Sequence, residues 1–188
     1  MPLLCNLSLV EVRQARVSIY ADIQNLPSEY YLIFKSFLSE RHFQIKHGEA
    51  YSTINQINSA VPQGSVFGPL LYLLYTADIP ITPTAHTGTF ADDTVIMSRH
   101  YDTQIAAVRV QKHLNLIHTW LKDWRIKVYE TRSTQVIYTL RRSDSPHVYL
   151  NNIEIIRANV AKYLGLHLDS KLTWEVHIAK KEGDGYKN

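Results

Sequence analysis

The spacing of apolar residues changes along the chain, and each change predicts an element. Tyr30, Tyr31, Ile33, Phe34, Phe37 and Leu38 recur three and four positions apart. That period predicts a helix from Pro27 to about Ser39, with Ser28 as N-cap and Glu29 in the first turn. Residues 42–46 alternate and read as a strand, His47-Gly48-Glu49 as a turn, and residues 51–57 as the returning strand. Pro62-Gln63-Gly64-Ser65 reads as a loop, and residues 66–77 as a strongly apolar helix. Gly68-Pro69 falls in the opening turn of that helix, where proline is tolerated. Pro80 and Pro83 end it. A second hairpin pairs residues 87–90 with 94–98 around a tip at Ala91-Asp92-Asp93.

Asp102 caps a long helix to about Trp124, with a core stripe of Ile105, Val108, Leu114, Ile117, Trp120, Leu121 and Trp124. Strands follow at residues 135–140, 148–150 and 153–156, the last two joined by the tight-turn pair Asn151-Asn152. Residues 162–168 read as one further strand. Asp169 or Ser170 caps a final helix through Leu172, Trp174 and Ile178, which gives way to a polar tail at 181–188. Residues 1–25 carry no clear period. Hairpins mixed with helices predict the α+β class.

Charge adds a second pattern. The net charge of +3 hides an asymmetry: residues 1–98 hold 5 Lys/Arg and 8 Asp/Glu, and residues 99–188 hold 15 and 9. No Lys or Arg lies between Lys46 and Arg99, and the formal charges there are Glu49, Asp78, Asp92 and Asp93. Such a stretch suits a cation site or a plain core. The basic half, with Lys122, Arg125, Lys127, Arg132, Arg141 and Arg142, suits a phosphate backbone or a solvated face. With a single cysteine, the chain holds neither an internal disulfide framework nor a Cys-rich zinc site. Its apolar runs fall short of the roughly 18 residues a membrane helix needs, and the apolar start lacks the basic region of a signal peptide. Both point to an intracellular protein of the cytoplasm or nucleus, neither membrane-bound nor secreted.

Asp92-Asp93 is the sharpest chemical feature. Two adjacent carboxylates repel, so ionising both in a confined place calls for a cation. Mg²⁺ takes hard oxygen ligands of this kind, and Mn²⁺ could replace it. In the open, the same pair is only a solvated turn. The histidines lack a tight zinc spacing with a partner Glu, so exposed or core-edge positions are their default. Cys5 has no matching triad partners. Trp120 and Trp124, four apart, fit helix packing better than base stacking.

Upstream of that pair lies Ala60-Val61-Pro62-Gln63-Gly64-Ser65-Val66-Phe67-Gly68-Pro69-Leu70-Leu71-Tyr72, and about twenty residues later comes Phe90-Ala91-Asp92-Asp93. In these two segments the chain resembles the reverse transcriptases of non-LTR retrotransposons, the jockey-like elements of insects above all. Weaker matches run in order through Leu74-Tyr75-Thr76-Ala77-Asp78-Ile79-Pro80, residues 120–127, residues 160–169 and residues 172–178. Upstream, Leu26-Pro27 and residues 30–43 join them. The resemblance covers residues 26–180, which would be a partial reverse transcriptase domain between an unassigned segment, 1–25, and the polar tail.

The resemblance implies a truncated, palm-like antiparallel sheet with packed helices. It implies transfer of a deoxynucleoside triphosphate to a DNA primer along an RNA template, with Mg²⁺ or Mn²⁺. Asp92 would be the direct metal ligand and Asp93 a supporting one. Pro62, Gln63, Gly64 and Ser65 would approach template and nucleotide. Phe90 would be either a core aromatic or a primer contact. Three departures stand out. The family's Asp-x-x-x-Ala-Phe-Asp motif has no counterpart in residues 1–25, where Asp22 is the one aspartate. The fingers that precede that motif are missing, and the chain stops where a thumb would begin. Tyr129 and Arg132 stand where the family usually has Asn and Lys. Arg132 still suits a phosphate, but guanidinium does not readily give up a proton. Two other readings remain: a catalytically inactive remnant with weak nucleic-acid binding, and a metal-binding α+β domain sharing only the Asp-Asp turn.

Overall fold

A computed structural model describes the backbone of residues 2–12, 26–57, 64–90, 93–124, 126–140 and 144–185, and the side chains of these from residue 26 to 183. In chain order its elements begin with β1 (Pro2–Val12), α1 (Ser28–Leu38), β2 (His42–Phe43), β3 (Lys46–His47), β4 (Ala50–Tyr51) and β5 (Asn55–Gln56). Then come α2 (Phe67–Tyr75), β6 (His86–Phe90), β7 (Asp93–Arg99), α3 (Thr103–Asp123), β8 (Ile126–Val128) and β9 (Thr134–Ile137). The last are β10 (Tyr149–Leu150), β11 (Ile153–Glu154), β12 (Ile156–Arg157), β13 (Val160–Tyr163), β14 (Leu166–Asp169) and α4 (Glu175–Gly185). Helices and mixed strands make the chain α+β. None of the described helices is long and apolar enough to cross a membrane.

The chain divides into two units. One comprises Glu11–Ile79 and Trp124–Ile126. Its core forms where the inner faces of α1 and α2 meet: Phe34, Leu38, Leu71 and Tyr75 are buried, with Phe67 and Trp124 packed against them. The Phe67 ring meets Phe34 and Phe37 edge-on at 5.4 and 5.3 Å, an arrangement that aligns ring edge with ring face. Tyr75 donates its hydroxyl to the carbonyl of Trp124 at 3.0 Å, and the Trp124 indole donates to Asp78 at 3.0 Å. Burial first, then Asp78 and Tyr72, push the Tyr75 phenol up to about 12. Ser28 is the first helical residue rather than the cap: Pro27 takes the cap position, and its carbonyl accepts from Tyr31 N. Tyr30 and Ile33, expected on the core face, are exposed, because the α1 contact centres on Phe34 and Leu38 with Tyr31 and Phe37 beside them. Helix α2 stops at Tyr75, before Pro80, in a turn closed by Thr76 N and Ala77 N.

The other unit comprises Met1–Val10, Pro80–Asp123 and Lys127–Asn188. Its main sheet runs in the order β12-β9-β1-β7-β6. β1 lies antiparallel between β7 and β9, and β6 and β7 form the expected hairpin. β1 lies within residues 1–25, where the sequence pattern predicted no element. The sheet is not purely antiparallel, since β12 runs parallel to β9.

Along β7 the side chains of Thr94, Ile96 and Ser98 are buried and alternate with more exposed neighbours. Helix α3 packs across this strand. Asp102 caps it through Oδ1, which accepts from Gln104 N at 2.8 Å. The buried stripe of α3 is Ala106, Ala107, Val110, His113, Leu114, Ile117, Trp120 and Leu121. Ile105 and Val108, expected in that stripe, face outward. Two small alanines permit close approach to the sheet, and their phase wins over the larger apolar residues beside them.

Residues 162–168 form a hairpin, β13 with β14, rather than one strand. Leu164 and Gly165 turn it with φ of 48° and 78°. The Asp169 carboxylate organises the approach to α4 by accepting from the backbone N–H of Lys171, Thr173 and Trp174 and from the Thr173 hydroxyl. Burial pushes this carboxyl up, but the hydrogen bonds outweigh it and hold the group below the usual range. Leu172 and Trp174 precede the helix, and residues 181–185 belong to it rather than to a tail.

His113 is fully buried on α3, not exposed or at the core edge. Its two ring nitrogens meet the hydroxyls of Thr82, at 3.1 Å, and Thr87, at 2.6 Å. Burial lowers its pKa from the ordinary histidine value. The unfolded chain therefore binds a proton that the folded chain resists. Stability from this residue is full above pH ~6.5, the unfolded histidine value, and is lost as pH falls below it. His167, lowered by burial and then by Lys180 and Lys162, adds a slope of the same sign. Urea denaturation from pH 8 to pH 5 should show a falling midpoint below pH ~6.5, and His113→Gln should flatten that fall without abolishing it.

Candidate functional site

The sheet register decides which side chains meet. Phe90, the last residue of β6, pairs with Asp93, the first of β7. Asp93 in turn pairs with Ser8 of β1. On the far side of β1, Asn6 pairs with both Val95 of β7 and Thr134 of β9. Thr134 is thus level with Val95, and the chain preceding it leads back toward the level of Asp93. The 3₁₀ turn Glu130–Arg132 stands immediately before β9. It lies between β8 and β9, both paired with β1, at about the level of Ser8 and Asp93. Two strand spacings separate the β7 and β9 backbones there, roughly 10 Å.

Three of the residues singled out from sequence therefore share one sheet end: Phe90, Asp93 and Arg132. Phe90 is 62% exposed and is not a core aromatic. Asp93 is half-buried. Beside it, the Thr94 hydroxyl is shielded from solvent with no hydrogen-bond partner among the described residues. Gly64 and Ser65 belong to the other unit. Gly64 has φ of 75°, a left-handed backbone that favours glycine. The Ser65 carbonyl accepts from Gly68 N at 3.2 Å as α2 begins, and its hydroxyl is shielded without a described partner. Asp92, Pro62 and Gln63 lie outside the described residues, as do Arg125, Arg141, Arg142 and the side chain of Cys5.

The basic residues near this sheet end converge on one ring. Arg132 lies over Tyr129 with its guanidinium carbon 5.0 Å from the ring centre, and the Lys127 ammonium lies 5.5 Å from the same centre. An aromatic face attracts cations through its quadrupole without neutralising them. Tyr129 thus gathers two positive charges and leaves both available to an anion. Sequence reasoning weighed Tyr129 only as a replacement for Asn. The Lys127-x-Tyr129-x-x-Arg132 spacing is the signal that marks its role. Within the turn, Arg132 N donates to Tyr129 O at 3.1 Å and Ser133 N to Glu130 O at 3.0 Å.

Opposite charges therefore flank β1 at this level, the Asp93 carboxylate on one side and a cationic turn on the other. Such a site can hold a hard cation at the Asp93 carboxylate and a phosphate at the guanidinium. Among the described residues no group of three or more His, Cys, Asp or Glu side chains forms a ready cage. A carboxylate turn that shares its cation with a phosphate ligand needs no such cage.

Comparison with known proteins gives a family and several relatives. Residues 15–168 match the family described as reverse transcriptase (RNA-dependent DNA polymerase). The chain is 35% identical over 185 residues to the probable RNA-directed DNA polymerase from transposon X-element of Drosophila melanogaster, covering 93% of this chain and 20% of that protein. It is 33% identical over 168 residues to the RNA-directed DNA polymerase from mobile element jockey of the same species, covering 85% and 18%. To the probable RNA-directed DNA polymerase from transposon BS it is 30% identical over 190 residues, covering 93% and 21%. The chain thus spans about a fifth of the length of these curated relatives.

Replacing Tyr129 by Leu should remove the ring that gathers Lys127 and Arg132 and cost ~0.5–1 kcal/mol. Tyr129→Phe keeps a ring face and should cost less. Urea denaturation of both variants beside the wild type checks the order.

Proposed function

The chain belongs to the reverse transcriptase (RNA-dependent DNA polymerase) family, and from that premise we propose that residues 26–180 are part of a polymerase domain that copies RNA into DNA. β1, within residues 2–12, pairs with β7 and β9 of this domain, and α4 carries the chain on to Gly185. The observation that carries the reading is the shared sheet end: Asp93 and Phe90 on the hairpin, Arg132 on the turn level with them. The strand order β9-β1-β7-β6, antiparallel throughout, matches a split β-α-β-β-α-β arrangement and supports a palm-like sheet.

In the proposed reaction the 3′-hydroxyl of a DNA primer attacks the α-phosphate of a deoxynucleoside triphosphate opposite an RNA template. A new P–O bond forms as the bond to the β-phosphate oxygen breaks, and pyrophosphate leaves. Asp92 and Asp93 would hold Mg²⁺, or Mn²⁺ in its place. When bound, the ion supplies positive charge to the oxygens of the attacking and leaving groups. The oxygen-only donor set fits such a hard cation. Arg132 would hold a phosphate through paired N–H donors, in a fixed charge state rather than as a proton donor. Exposed Phe90 would pack against the primer. Gly64 would admit the nascent base pair close to the backbone, with Pro62, Gln63 and Ser65 lining the approach. The setting would be intracellular, in cytoplasm or nucleus.

A second reading is a catalytically inactive remnant of that domain with weak nucleic-acid binding. Primer extension on an RNA template with Mg²⁺ separates the two. Under the polymerase reading, Asp92→Ala lowers incorporation about a hundredfold or more and Asp93→Ala lowers it less. Wild-type incorporation no higher than that of Asp92→Ala supports the remnant.

A further inference from the structure

Asn151 forms the two-residue turn between β10 and β11 with Asn152, at φ of 53° and 62°. Asparagine is among the few side chains that enter this left-handed region readily. The turn needs the Asn151 backbone, but the side-chain amide is also engaged at both ends. Its Nδ2 donates to the Glu130 carboxylate. Its Oδ1 faces Nδ1 of His118 on α3, which donates to it as the N–H tautomer.

The hairpin that presents this amide is clamped to the same helix. Gln111 Oε1 accepts from Tyr149 N at 2.7 Å, and Gln111 Nε2 donates to Tyr149 O at 3.0 Å. One glutamine amide therefore pairs with β10 as a neighbouring strand would. Asn115 Oδ1 accepts from the same Nε2 at 2.8 Å and steadies it. Helix, hairpin turn and carboxylate form a continuous brace.

The brace ends on Glu130, in the same turn as Arg132. The turn's own hydrogen bonds, from Arg132 N, Ser133 N and Ser133 Oγ, all run within residues 129–133. They shape the turn but do not anchor it to α3. The geometry points to Asn151 as a positioning residue for Arg132: through Glu130 it fixes the turn at the sheet end that carries Asp93. Its consequence for catalysis rests on the reading of that sheet end as the nucleotide site. The chemistry is specific to an amide. A carboxylate at position 151 could still accept from His118, but it could not donate to Glu130 and would repel it.

The test uses the full chain. Asn151→Gly keeps the turn and removes the amide, Asn151→Asp removes the donor, and Glu130→Gln keeps an acceptor. Amide hydrogen exchange at Arg132 and Ser133 should quicken about fivefold in both Asn151 variants and stay near wild type in Glu130→Gln. Exchange at Leu114 and Ile117 in α3 should not change. In primer extension, the KM for the deoxynucleoside triphosphate should rise by a similar factor in the Asn151 variants, with kcat within about twofold of wild type. Unchanged exchange at Arg132 and Ser133, or equal acceleration throughout α3, would overturn the brace. Absence of incorporation by wild type would remove the nucleotide-site reading alone, because the exchange comparison does not depend on activity.

Discussion

Strand β7 is the constraint on which the candidate site depends. One side of it pairs with β6 and brings Phe90 beside Asp93; the other pairs with β1 and puts Ser8 beside Asp93. A slip of one residue in either ladder would turn Thr94, Ile96 and Ser98 away from the core and expose them. Burial of the alternate β7 side chains therefore locks the height of the hairpin tip. The same register, carried across β1 to Thr134, places the turn that bears Arg132. Packing of apolar side chains thus decides the separation of charged ones.

Helix α3 turns that register into a rigid arrangement. Ala106 and Ala107 let it approach closely, and His113 reaches Thr82 and Thr87 with both ring nitrogens. A fully buried imidazole is tolerated because each nitrogen meets a hydroxyl that can donate or accept as the tautomer requires. On either side of His113 along the helix, Gln111 and His118 hold the β10–β11 hairpin. A single helix thereby touches β6 on one side and the hairpin bracing Glu130 on the other. Charges at the sheet end are arranged differently. Lys127 and Arg132 share the Tyr129 ring, so they are gathered without being neutralised.

Much of this was legible from local pattern. The pairing of residues 87–90 with 94–98, the cap at Asp102 and the turn at Asn151-Asn152 each depend on a few adjacent residues, and the structure has all three, although Asp93, expected in the hairpin tip, is the first residue of β7. Less legible features depended on distant partners. The stripe on α3 was misphased at Ile105 and Val108, because only the facing sheet favours alanine at close approach. Residues 162–168 read as one strand, because a Leu-Gly turn lacks the polar residues that usually announce one. β1 was not predicted, and its partners β7 and β9 come from beyond residue 90.

The order and spacing of residues 60–72 and 90–93 carried the family resemblance, because such a match needs only residues close together along the chain. The sequence alone also determined the charge split between the two halves, a property of composition that needs no fold. The convergence of Phe90, Asp93 and Arg132 was decided only by the tertiary structure. Arg132 lies almost forty residues beyond Asp93, and nothing local sets the level at which β9 enters the sheet. That level comes from β1, whose hydrogen-bonding groups must be satisfied on both sides at once. The brace through Asn151 has the same origin: an amide placed by a turn, meeting a carboxylate that only packing brings within reach.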